Sequence, residues 1–282
     1  MKSSTKAFIL GALLLLIQGC GFQFWYNRLA WVSTWYADDY VTLTSSQEER
    51  LEALVERHAS WHRVTQLPRY NQFINQVITD LKHKRIEQNY DSYNKQLTAF
   101  YHTVLDRVLD DAVDELAQLS NEQVEELLRN LKAPDEARVE QYKKMTDEDR
   151  LEANIEEAIE LYEEWLDDLT TEQEKLIKDY VKSLQPTTQF YIEYRKRWHE
   201  AFALALAERQ SESGKKALYS LLRKPSQLYS EQLKDKYKQN RAVRKNLQLQ
   251  LFRTATDDQI EHFIEYLSDY KEDFSDLIAD AD

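Results

Sequence analysis

Glycine occurs at only four of 282 positions, 11, 19, 21 and 214, so a single glycine stands beyond residue 21. Backbones with positive φ, and backbones that must approach a ligand closely, depend on glycine. Phosphate-cradling loops, Rossmann turns, nucleophile elbows and tight hairpins all draw on it. A chain with this composition builds none of them, and what remains open to it is helix.

The apolar pattern agrees. Leu151, Ile155, Ala158, Ile159, Tyr162, Trp165, Leu166 and Leu169 recur at helical spacing, with Glu152, Glu156, Glu160, Glu163 and Asp167 among the residues of the opposite face. Similar stripes run through Leu97, Tyr101, Val104, Leu105, Val108, Ala112 and Leu116, and through Ile260, Phe263, Ile264, Leu267, Phe274 and Leu277. Pro68, Pro134, Pro186 and Pro225 fall between such runs, where proline opens one helix or ends another. The expectation is an all-α fold, a multi-helix bundle or an elongated helical array. It has roughly nine to eleven helices, and a possible subdivision near Pro134 or Pro186.

One local pattern recurs five times, with its hydroxyl at Thr44, Ser120, Thr146, Thr170 and Thr256, and a Gln or Asp three residues on at Gln47, Gln123, Asp149, Gln173 and Gln259. Each hydroxyl can accept from the backbone N–H three residues on, and each partner can reach back to the N-cap N–H. These are read as helix N-caps. Their spacing is irregular, so they do not define a solenoid of equal repeats.

At the N-terminus Lys2 and Lys6 precede an apolar run from Ala7 to Ile17, which is shorter than the roughly 20 residues a spanning helix needs. The run suits a signal peptide. Leu16-Ile17-Gln18-Gly19-Cys20 then reads as a lipobox, with residues 1–19 removed, lipid carried on Cys20, the sole cysteine, and residues 20–282 as the helical body. Several acyl chains on one cysteine anchor a protein stably. Gly21 stands where an Asp would signal inner-membrane retention, which points to the periplasmic face of the outer membrane.

A formal charge of −13 argues against nucleic acid, whose phosphates call for a basic footprint. It also sets the body against anionic membrane surfaces and leaves anchoring to the lipid on Cys20. Four of the six tryptophans lie between Trp25 and Trp61, and the aromatics from Phe22 to Tyr36 cover more than one helical face. Such a helix either packs in a core or serves an interface or partner. One or two linking residues reach at most about 7 Å, so this helix stands close to the anchored residue.

The run Tyr26-Asn27-Arg28-Leu29-Ala30-Trp31, followed by Trp35-Tyr36-Ala37-Asp38-Asp39-Tyr40-Val41, Leu43-Thr44-x-x-Gln47, Trp61-His62-Arg63 and Leu67-Pro68-Arg69-Tyr70, resembles a family of uncharacterised helical lipoproteins of Gram-negative bacteria. The resemblance implies a lipoprotein at the periplasmic face and brings no activity. It makes Tyr26, Asn27, Trp31, Trp35, Asp38, Asp39, Tyr40, Trp61 and His62 the candidate interaction or motif residues. The Leu-Thr-x-x-Gln copies at 43–47 and 169–173 also resemble the motif of Spy- and CpxP-type periplasmic chaperones, which implies an alternative role in shielding unfolded polypeptides.

Catalytic and metal chemistry find little here. His58 and His62 share a helical face at i, i+4, but no Glu follows His58 and no third ligand is marked. None of the six histidines has a Glu three residues before it, as di-iron bundles need. Asp38-Asp39, Asp110-Asp111 and Asp167-Asp168 are neighbours about 100° apart on a helix, which makes no acid/base couple. For Asp38 and Asp39 the expected role is binding Asn27 or Arg28, or capping the next helix. The basic stretch Lys234–Lys245 and the acidic stretch Glu148–Asp168 are read as solvated faces. The sequence thus points to a structural or interaction protein of the envelope with no catalytic, cofactor or metal residues and no small-molecule ligand, its expected partners the membrane, through Cys20, and an envelope protein.

Overall fold

A computed structural model describes residues 20–280; the signal peptide read at 1–19 and residues 281–282 lie outside it. Among the described residues there are twelve α-helices and no strand. They are α1 (Cys20–Tyr26), α2 (Leu29–Asp38), α3 (Ser45–Thr65), α4 (Leu67–Lys82), α5 (Ile86–Ala117) and α6 (Asn121–Lys144). Then follow α7 (Asp147–Leu166), α8 (Thr171–Ser183), α9 (Thr188–Ala207), α10 (Glu212–Arg223), a 3₁₀ turn (Pro225–Leu228), α11 (Glu231–Thr254) and α12 (Asp257–Ala279). None of them is long and apolar enough to cross a membrane.

The count exceeds the expected nine to eleven partly because the aromatic N-terminal segment is two helices. The chain turns at Asn27 and Arg28 and restarts at Leu29. Pro134 corrects the reading of proline as punctuation, since it lies inside α6, where it removes one i→i−4 hydrogen bond. Pro68 and Pro225 do open elements, and Pro186 lies in the connection between α8 and α9.

All five predicted capping boxes form, at the N-termini of α3, α6, α7, α8 and α12. Four of them are also joined in pairs across the fold. Gln47 and Gln123 exchange amide hydrogen bonds of 3.1 and 2.7 Å, and Gln173 and Gln259 do the same at 2.8 and 2.9 Å. Each pair ties the start of one helix to the start of another far along the chain. Spare donors reach backbone carbonyls two residues before a cap: Gln123 to Thr42 at 2.8 Å and Gln259 to Asp168 at 2.8 Å.

The 32-residue α5 is the spine, packing against α3, α4, α10 and α11. Its carboxylates meet bases from three of these helices: Glu115 with Arg50, Asp114 with Lys215 at 2.6 Å, and Asp91 with Lys245 at 2.6 Å. Exposed pairs of this kind contribute about 0–1 kcal/mol each. Apolar burial supplies the rest, in several cores. The largest gathers Val113, Leu127, Trp198, Phe202, Leu206, Leu218 and Leu233 from α5, α6, α9, α10 and α11. A second joins α7, α8 and α11 through Tyr162, Leu166, Ile177, Leu247 and Leu251. Two more join α4 and α12 to α5 and to α1. The last helix therefore returns to the first.

The stripe read on α5 is only partly core, because Leu97 and Tyr101 are exposed in the middle of the helix. The charge blocks do not converge either. Lys245 pairs with Asp91, Lys234 with Glu231, and Arg244 donates to the Tyr180 hydroxyl, while α7 and α11 meet through apolar side chains.

Candidate functional site

The aromatic residues on either side of the turn at Asn27 and Arg28 are of two kinds, buried and exposed. Tyr26 is buried with Leu67 and Leu277, and Phe22 packs beside it against Phe274. Past the turn no residue of α2 is buried, and Trp31 is 56% exposed and Trp35 46% exposed. Phe24 and Leu29 are exposed with them, so the helices following Cys20 carry an apolar outer face. Inward and outward aromatics thus share the segment: Phe22 and Tyr26 pack inward, and Phe24, Trp31 and Trp35 are exposed.

The inner side is fastened by a polar network. The His62 ring sits between two hydroxyls, with Nδ1 2.9 Å from Tyr26 and Nε2 3.2 Å from Tyr70. Burial holds the His62 imidazole below its ordinary value, so it is neutral at pH 7. Burial also pushes the Tyr26 hydroxyl up to about 12, against the opposing influence of Arg63. Arg63 donates to the Asn27 side-chain oxygen at 2.6 Å and lies over the Tyr26 ring. Among the sequence candidates, Tyr26, Asn27 and His62 are thus brought together.

The others sit elsewhere. Asp38 ends α2, and the cap of the next helix belongs to Thr44 and Gln47, not to Asp38 or Asp39. Asn27 is taken by Arg63, while Arg28 lies over the Phe24 ring and donates to the Phe24 carbonyl. The foreseen capping role of Asp38 and Asp39 is therefore filled by Thr44 and Gln47. Tyr40 shares a hydroxyl contact of 3.2 Å with Tyr36, and its carbonyl accepts from Asn130.

Trp61 faces a groove between α3 and α5 of about 420 Å³. Its walls are mainly aliphatic, from Leu51, Leu54, Val55, Val104 and Val108, and Tyr26 and Leu29 form its N-terminal wall. His58 and His62 both line it but point to different partners. His58 Nε2 meets Asp111 Oδ2 at 2.7 Å, and Arg57 donates to the same oxygen at 2.6 Å. Burial works to raise the Asp111 carboxyl, yet these hydrogen bonds outweigh it and hold it below its usual range.

Sequence reasoning passed over a second arrangement of the same kind. Between α6 and α9 a wider groove of about 800 Å³ is lined by Val139, Tyr142, Tyr191 and Ile192 together with charged residues of both signs. At its edge Asp135 Oδ2 accepts from Arg195 at 2.6 Å and lies 2.8 Å from His199 Nε2. Burial again works to raise the Asp135 carboxyl and the two hydrogen bonds prevail, leaving it low. The Nδ1 atoms of both His58 and His199 are buried without a hydrogen-bond partner. Arg195 and His199 stand at i, i+4, a spacing visible in the sequence, but their carboxylate comes from another helix and carries no local signal.

Among the described residues no group of three or more His, Cys, Asp or Glu side chains is arranged to hold a metal ion. Comparison with curated proteins and comparison with solved structures each found no match. The family described as "Family of unknown function (DUF6279)" matches residues 39–238, well over half of the chain, and the protein belongs to that family.

Proposed function

We propose that the protein is a lipoprotein held through Cys20 on the periplasmic side of the outer membrane, where its helical body serves a structural or protein-interaction role in the envelope. The observation that carries this reading is the outer face of Phe24, Leu29, Trp31 and Trp35, on the two helices that begin at Cys20. Tryptophan and other aromatics are at home at a membrane–water interface, and the inner side of the same segment is pinned to α3 and α12. The lipid supplies the attachment, the aromatic face lies against the surface, and the acidic body extends away from it. No enzymatic step is assigned. Cys20→Ser is expected to abolish incorporation of labelled fatty acid and to release the protein from the membrane fraction; labelling that persists in the variant ends this reading.

A second reading, binding of unfolded periplasmic polypeptides, has its own support in the concave apolar groove between α3 and α5. A form beginning at Gly21, mixed at equal concentration with an unfolding client, tests it by light scattering. Suppressed aggregation favours the chaperone-like role, and unchanged aggregation removes it.

A further inference from the structure

The groove between α3 and α5 has walls that suit one kind of occupant. Leu51, Leu54, Val55, Val104 and Val108 present carbon, and most of the polar atoms among them already have partners, the buried His58 Nδ1 being an exception. His58 meets Asp111, His62 meets Tyr26 and Tyr70, and Glu115 accepts from Arg50. A polypeptide could lay single side chains here, but few groups would receive its backbone N–H and C=O, which are costly to bury unpaired. An alkyl chain has no such groups. A water molecule takes about 30 Å³ of liquid and a methylene group is of similar size, so the groove's 420 Å³ admits on the order of a dozen methylenes.

The groove also lies within reach of a tethered chain. Its N-terminal wall is Tyr26 and Leu29, and Tyr26 closes the seven-residue helix that begins at Cys20. Six helical steps rise about 9 Å, whereas one acyl chain spans about 15 Å, half of a bilayer's hydrocarbon core. We propose that the α3–α5 groove receives an acyl chain carried on Cys20 of the same molecule, so that part of the anchor is stowed against the body whenever the protein is out of a bilayer. This rests on lipidation of Cys20, as proposed above.

The test feeds cells a fatty acid bearing a photoactivatable diazirine near its end, irradiates the full-length processed protein in aqueous extract, and maps the crosslinks by mass spectrometry. The expected result is label on Cys20 joined to the segments around Leu51–Val55 and Val104–Val108 of the same chain. Val108→Trp, which fills the groove, is expected to lower those crosslinks at least tenfold while Cys20 stays labelled. Label on Cys20 that crosslinks only to lipid or to other proteins overturns the groove proposal and leaves the anchor standing. An unlabelled Cys20 overturns both.

Discussion

The two glutamine pairs share one chemistry and differ in their surroundings. Gln173 is fully buried and Gln259 nearly so, and their pair closes over the ends of α7 and α11. Gln47 is buried but Gln123 is only half-buried, and their pair sits at a rim where Glu126 also receives the backbone and hydroxyl of Thr42. The inner pair rests on a backbone that the outer pair does not need. Asp167, at the end of α7, has φ 59° and ψ −139°, a conformation that favours glycine, and the next residue supplies the carbonyl that Gln259 binds. At the rim the residue before the bound Thr42 carbonyl is Val41, which has no positive φ. A hydrogen bond that water can replace is inexpensive to lose, and one it cannot reach is worth local strain to keep.

The strongest test of that contrast is Gln173→Ala. It removes a capping partner and leaves the buried Gln259 amide short of one donor and one acceptor contact, with an expected loss of about 3 kcal/mol in denaturant unfolding. Gln123→Ala should cost about 1 kcal/mol, because solvent reaches what it leaves behind. A double-mutant cycle sharpens this, with a coupling of at least about 1 kcal/mol expected for Gln173 and Gln259 and a smaller one for Gln47 and Gln123. Equal losses at the two sites would mean that burial does not set their worth. Asp167→Gly is expected to stabilise the protein by about 1 kcal/mol, by relieving the strain beneath the inner pair.

The smallest effect belongs to a contact where burial encloses a charge. Gln23 donates to Asp273 at 3.2 Å and to Asp276 at 2.9 Å. Burial raises the Asp273 carboxyl above its ordinary value; Gln23 opposes this, and the nearby charges of Asp276, Asp269 and Glu272 add to it. Its folded value therefore exceeds its unfolded value, and stability present in acid is lost as pH rises through the raised value. Asp273→Asn should raise Tm by about 2 °C at pH 7. The gain should vanish as pH falls below the ordinary carboxylate value of about 3.9, measured by thermal melts across pH.

What could be read from the chain beforehand was local. The caps at Thr44, Ser120, Thr146, Thr170 and Thr256 are set by contacts three residues apart, so the pattern carried them fully. That Gln47 finds Gln123 and Gln173 finds Gln259 depends on how distant helices pack, which no window of sequence contains. Asp135 escaped notice for the same reason, since it gains its partners from α9. Pro134 misled because proline is tolerated inside α6 despite the lost hydrogen bond. The lone interior glycine was visible, but its cause was not: a Cβ at Gly214 would stand 2.0 Å from the Glu208 carbonyl oxygen, where α10 folds back against the end of α9.

The return of α12 to α1 has a mechanical side. Phe22 packs on Phe274, Gln23 is tied to Asp273 and Asp276, and Tyr26 is held by Ala59 and His62. Tension applied at residue 20 thus enters the body through its first and last helices together, and loads their contacts side by side rather than opening them one at a time. Peeling from the N-terminus would first require the far end of the chain to let go.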